Sequence, residues 1–210
     1  MDTDVVQQVA HYAEEVLGGE GFRYASAVVA NCKMLALELE MDEAHSRYVD
    51  MEALVLAGYL HDISTTTSGF QDHQRKSAQM AVAYLRKLDV PDERIGRVEQ
   101  AILGHTTAVS EEQHYETPIE ALVLYDADRL GRLSGLAVVT SLIEFGSRYP
   151  NRAVTGDGLV AILRHIEERF IELYQSLHTQ PARDLARDKF QGTLAFLDGV
   201  IEHLNDATPV

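Results

Sequence analysis

The sequence predicts an all-α protein, and two observations carry the prediction. Apolar residues recur at i, i+3, i+4 and i+7 through nearly every long segment, which lays them on one face of a helix, while strict period-two alternation is scarce. With 210 residues, 46% of them apolar, the chain can bury one sizeable core, so a single domain is expected.

In chain order, a first helix carries Val5, Val6, Val9, Ala13, Val16 and Leu17 on one face and stops at Gly18-Gly19. A second carries Ala25, Val28, Val29, Cys32, Leu35, Ala36 and Leu39. A third, near 50–62, is almost wholly apolar over 53–60, as befits a central helix buried on all sides, and it ends in His61-Asp62. Beyond a Ser/Thr-rich loop at 64–69, a helix of about 74–88 shows Met80, Ala81, Tyr84, Leu85 and Leu88. Pro91 opens the next, with Ile95, Val98, Ile102 and His105 in register. After a polar loop at 106–116, Thr117-Pro118 provide a cap and first position for a helix bearing Ile119, Leu122, Val123 and Asp126 on one stripe. A helix of about 134–145, a loop at 147–157 and two long helices at roughly 158–178 and 181–205 complete the chain. No repeat or linker interrupts it. The expected organisation is one domain over 1–210, with its core at about 20–145 and the helices of 158–205 packed on that core.

A formal charge of −15 makes the surface repel phosphate backbones and anionic lipid, which argues against nucleic-acid wrapping and membrane adsorption. Cys32 is the only cysteine, so an intramolecular disulfide and a thiolate zinc cluster are excluded; a reducing, cytoplasmic setting is expected. No window approaches the about 18 uninterrupted apolar residues of a membrane-spanning helix, and the acidic N-terminus has no signal-type apolar run.

Polar residues at core positions are the informative ones, because a buried charge persists only when matched by a partner or a metal. His61 follows Leu54 by seven residues and Ala57 by four, continuing the buried face of its helix, and Asp62 stands where that helix must end. An imidazole and an adjacent carboxylate at a helix terminus can reach one cation. Alone, the pair reads more readily as a helix-ending Asp beside a hydrogen-bonded His. Asp126 follows Ile119 by seven and Leu122 by four, which places a carboxylate on the inward stripe of a distant helix. His105 falls likewise on an inner stripe, and His73 precedes the helix after the His-Asp pair. Four helices thereby direct His61, Asp62, His73, His105 and Asp126 toward one interior.

LeuHisAspIle at 60–63, His73 with the following Ser77-Ala78, IleLeuGlyHis at 102–105 and AspAlaAspArgLeu at 126–130 together resemble the HD-domain phosphohydrolase superfamily. The likeness is to its small stand-alone bacterial branch, and the run from Arg164 to Leu204, with LeuHisThrGln at 177–180, is similar too. The resemblance implies an all-α HD-domain helical bundle holding a divalent metal ion such as Mn, Mg, Fe, Co or Ni. It implies a metal-activated water directed at a small phosphorylated metabolite or nucleotide. By the same resemblance the metal ligands are a histidine of an early helix, His61, Asp62 and the later Asp126, with Asp62, His73 and His105 as catalytic groups. His73 and His105 are implied as phosphate contacts, a second-metal site or a proton donor to the leaving oxygen.

Three positions depart from the family pattern. Tyr24 stands where the early histidine belongs; its phenol is a poor ligand for weak Lewis acids, since it loses its proton only near pH 10. Gly131 replaces an expected Asp and Thr140 an expected Arg. His11 lies one helix too early and His45 in a polar lead-in, so both read as surface histidines. Two function classes stay open: a metal-dependent phosphohydrolase, and an HD-fold protein that binds metal or a small ligand with little turnover. A mixed-valent iron oxygenase would need more histidines than the chain offers. The expected partner is a small phosphorylated substrate, with association into a homo-oligomer left open.

Overall fold

The computed structural model describes residues 3–41, 48–150 and 155–206, and among them every regular element is a helix. His45 lies outside the described residues. The helices are α1 (Thr3–Met41), α2 (Met51–Leu60), α3 (Thr65–Ser68), α4 (His73–Lys87), α5 (Asp92–Gly104), α6 (Glu111–His114), α7 (Ile119–Leu130), α8 (Gly135–Arg148), α9 (Gly156–Gln175) and α10 (Gln180–Asp206). None is long and apolar enough to cross a membrane. Their contacts divide the chain into two compact units, Met1–Gly131 with His178–Ala182, and Arg132–Leu177 with Arg183–Val210.

In the first unit α2 is the hub, packed by α1, α4, α5 and α7. Its sequence explains this role: Ala53, Leu54, Val55, Leu56, Ala57 and Leu60 are all fully buried, as expected for a helix apolar on every side. Asp50 starts the helix by accepting the N–H groups of Glu52 and Ala53. α1 approaches so closely that a Cβ at Gly58 would sit 2.8 Å from Val29 Cγ2. The expected stop at Gly18 is a kink instead: Gly18 has φ 70° and ψ 176°, a conformation open to glycine, and the chain re-enters a helix at once.

A buried polar network closes the N-terminal end of α2. The Arg94 guanidinium reaches Asp50 at 3.2 Å and Glu52 at 3.0 Å, while Arg97 reaches Glu120, which accepts the Asp50 N–H at 2.9 Å. Burial alone would raise the Asp50 pKa, but the Ala53 N–H and Arg94 outweigh it and hold the carboxyl below the ordinary carboxylate range.

In the second unit, α8, α9 and α10 share a core of Val138, Leu163, Leu197 and Ile201, flanked by Leu142, Leu159, Val160, Ile166, Val200 and Leu204. These residues recur three and four apart, the stripe expected of amphipathic helices. The polar segments read as loops at 64–69 and 106–116 hold one-turn helices, α3 and α6; the latter is stabilised by a capping box between Ser110 and Gln113.

Candidate metal centre

Three histidines at helix ends face one another in the first unit. His61 is the C-cap of α2, His105 the C-cap of α5, and His73 the first residue of α4. Ring centroids of His61 and His105 stand 5.1 Å apart, and those of His73 and His105 5.4 Å. Each ring uses Nδ1 in the same way: it lies against the carbonyl three residues earlier, Gly58 for His61, Phe70 for His73 and Ile102 for His105. A carbonyl only accepts, so each Nδ1 bears a proton, and in the neutral ring each Nε2 presents a lone pair. The turn after His61 is fastened to α4 through serines: Ser77 Oγ accepts the Ser64 N–H and donates to Ser64 Oγ, which donates to the His73 carbonyl. This is the local reason why the His-Asp pair and the segment from His73 to Ser77 meet.

Asp62 lies among the three lone pairs. Its carboxylate is 3.6 Å from His61 Nε2, 3.3 Å from His73 Nε2 and 3.8 Å from His105 Nε2. Ligand atoms held at about 2.1 Å around a tetrahedral or octahedral ion stand roughly 3.0–3.4 Å apart, close to these separations. His61, Asp62 and His105 form a group able to hold a metal ion. Two buried atoms at its centre, His61 Nε2 and Asp62 Oδ1, make no hydrogen bond. Such atoms are costly unless something binds them, and a divalent cation matches both their chemistry and the local negative charge. Burial, reinforced by the adjacent His61 ring, pushes the His105 pKa down to about 3, which keeps that imidazole neutral.

The distant carboxylate of the cluster is Asp128, which corrects the expectation for Asp126. Asp128 Oδ1 lies 3.8 Å from His61 Nε2. Both Asp126 oxygens are engaged elsewhere: they accept the N–H groups of His178 and Thr179 at 2.8 and 2.7 Å and the Thr179 hydroxyl at 2.7 Å. Residues two apart on a helix point about 200° apart, so the two carboxylates of α7 cannot face the same way. Asp126 therefore anchors the 178–182 segment. Tyr24, entered above as a doubtful metal ligand, reaches the cluster through its hydroxyl, which donates to Asp128 Oδ1 at 2.6 Å. Its ring centroid is 6.4 Å from that of His61.

Arg129 completes the surroundings. Its guanidinium donates to the carbonyls of His105 and Tyr125 and stacks 3.2 Å over the Tyr125 ring, steadying the end of α5. Arg129 lies within the AspAlaAspArgLeu motif, yet nothing in the helical phase singled it out. Thr140 donates to Leu136 of its own helix, and His11 pairs with Glu15 on an exposed face of the first half of α1. Burial, with Asp128 nearby, pushes the Cys32 thiol upward, so it is an unreactive core residue.

A family model, the HD domain, matches residues 26–133, and the chain belongs to the HD-domain family. Comparison with curated proteins found no match. Solved structures of similar fold include an HD-superfamily hydrolase from Bacillus thuringiensis, with 17% identity, a TM-score of 0.70 and coverage of 99% of this chain and 100% of that one. The Lin1889 protein from Listeria innocua has 16% identity and a TM-score of 0.68, over 97% and 99% of the two chains. Bacillus subtilis YpgQ in complex with ADP has 19% identity and a TM-score of 0.65, over 94% and 93%. At these identities the likeness is one of fold.

Proposed function

We propose that this HD-domain chain is a metal-dependent phosphohydrolase acting on a small phosphorylated metabolite or nucleotide. The observation that carries the reading is the pair of buried, unbonded atoms, His61 Nε2 and Asp62 Oδ1, facing further imidazole lone pairs and a second carboxylate. When bound, a divalent ion supplies Lewis acidity toward phosphoryl oxygens and acidifies a water. His61, Asp62, His105 and Asp128 would hold it. His73, the most open of the three imidazoles, faces an arriving phosphate. His105 already donates its Nδ1 proton to Ile102, which suits a ligand rather than a proton donor to the leaving oxygen. The ADP complex of the Bacillus subtilis relative makes nucleoside phosphates the first class to try.

Metal analysis of the purified protein, followed by hydrolysis assays on a panel of phosphate compounds with Mn, Mg, Fe, Co and Ni, tests the proposal. Turnover with at least one pair of cation and nucleotide or sugar phosphate is expected. A second reading, binding with little turnover, draws on Tyr24, which occupies the place of an imidazole ligand and hydrogen-bonds Asp128 instead. Stoichiometric metal retention with no hydrolysis anywhere in the panel would establish that reading and overturn the first.

A further inference from the structure

Tyr24, Asp128 and Gly131 form one local arrangement where the second half of α1 meets the C-terminal end of α7. Besides its contact with Asp128 Oδ1, the Tyr24 hydroxyl lies 3.2 Å from the Asp128 carbonyl, and Asn31 ties the same helices by donating to the Ala127 carbonyl at 3.0 Å. The ring passes beside Gly131: a Cβ there would stand 3.8 Å from Tyr24 Cε2, an ordinary van der Waals contact. The departures at 24 and 131 are therefore neighbours in space.

We propose that Tyr24 is a positioning residue whose phenol O–H clamps the Asp128 carboxylate toward His61 without itself bonding to the cation. The inference rests on the metal reading of the site given above. A 2.6 Å contact is the length of a charge-assisted O–H···O⁻ hydrogen bond. Asp128 is held on its other side as well, with Arg129 Nη1 3.9 Å from Oδ2. A phenolate ligand would instead set two anionic oxygens 2.6 Å apart with no proton between them. Partners that orient a ligating carboxylate typically change metal affinity by about 10–100-fold when removed.

The test is calorimetric titration of the metal-stripped full chain with Co(II), for the wild type and for Tyr24→Phe, alongside the visible spectrum of the wild type loaded with Fe(III). The expected results are one Co(II) bound by each protein, a Kd weakened roughly ten-fold by Tyr24→Phe, and no tyrosinate-to-iron charge-transfer band. A Kd that Tyr24→Phe leaves within about two-fold of wild type or tightens, or a tyrosinate band in the ferric protein, overturns the clamp while leaving the metal site standing. Absence of Co(II) binding by the wild type overturns the metal reading and the clamp with it. Should Tyr24→Phe fail to fold, the ferric spectrum of the wild type decides alone: a band refutes the clamp, and a bandless ferric protein upholds it.

Discussion

At the scale of single residues, the proposed ligands of a cation differ from the side chains that hold the protein. His61 and Asp62 each have a buried atom that makes no hydrogen bond and that a bound cation would satisfy. His61→Ala and Asp62→Ala are expected to abolish metal retention, measured as bound metal per chain, with far-UV circular dichroism unchanged. Unaltered stoichiometry in either variant would refute the ligand assignment. Asp126 is expected to behave in the opposite way. Asp126→Ala strands two buried N–H donors and a hydroxyl, so it should cost about 2–4 kcal/mol in urea unfolding while metal stoichiometry stays near wild type. Loss of metal without loss of stability would return Asp126 to the ligand set.

At the scale of elements, α2 places the site, because its C-cap is His61 and its packing fixes where that cap lies. Gly58 touches both functions: it lets Val29 approach, and its carbonyl holds His61 Nδ1 at 2.8 Å. Ala in place of Gly favours a helix by about 1 kcal/mol, whereas overpacking a tight core costs about 1–3 kcal/mol. The stiff Val29 side chain cannot retreat easily, so the second effect wins. Gly58→Ala is expected to lose up to about 2 kcal/mol net and to weaken metal binding. Gly96→Ala on α5, where an added Cβ meets nothing within 4 Å, should gain stability. At the other end of α2, Asp50 has a folded pKa below its ordinary 3.8. Its contribution is therefore present at neutral pH and is lost as pH falls through the folded pKa. Unfolding free energies measured from about pH 5 down to about pH 3 should fall less steeply in Asp50→Asn than in the wild type, since Asn still caps the helix. Equal slopes would show that Asp50 gives no such linkage.

At the scale of the whole molecule, a cation that binds only the folded chain must stabilise it, by about 2.7 kcal/mol at a hundred times its Kd. The Tm is expected to rise with added Mn or Co and to stay constant in His61→Ala. The all-α class, the helix starts near Pro91 and Pro118, the buried centre of α2 and the placement of His61, Asp62, His73 and His105 were all legible in the sequence. Helical periodicity is a local property, and a polar residue inside an apolar stripe is visible without coordinates. The choice between Asp126 and Asp128 was not legible. Every residue of α7 from Ile119 to Asp128 is buried, so no single stripe is the inward one, and helical phase could not say which carboxylate faces His61. The use of the Tyr24 oxygen was equally hidden, since it depends on α1 and α7 meeting across 104 residues of chain. The sequence by itself determined the helices and which of them carry imidazoles and carboxylates at buried positions. Tertiary packing alone decided which of those groups meet, because distances between helices are set by how their buried faces fit and not by spacing along the chain.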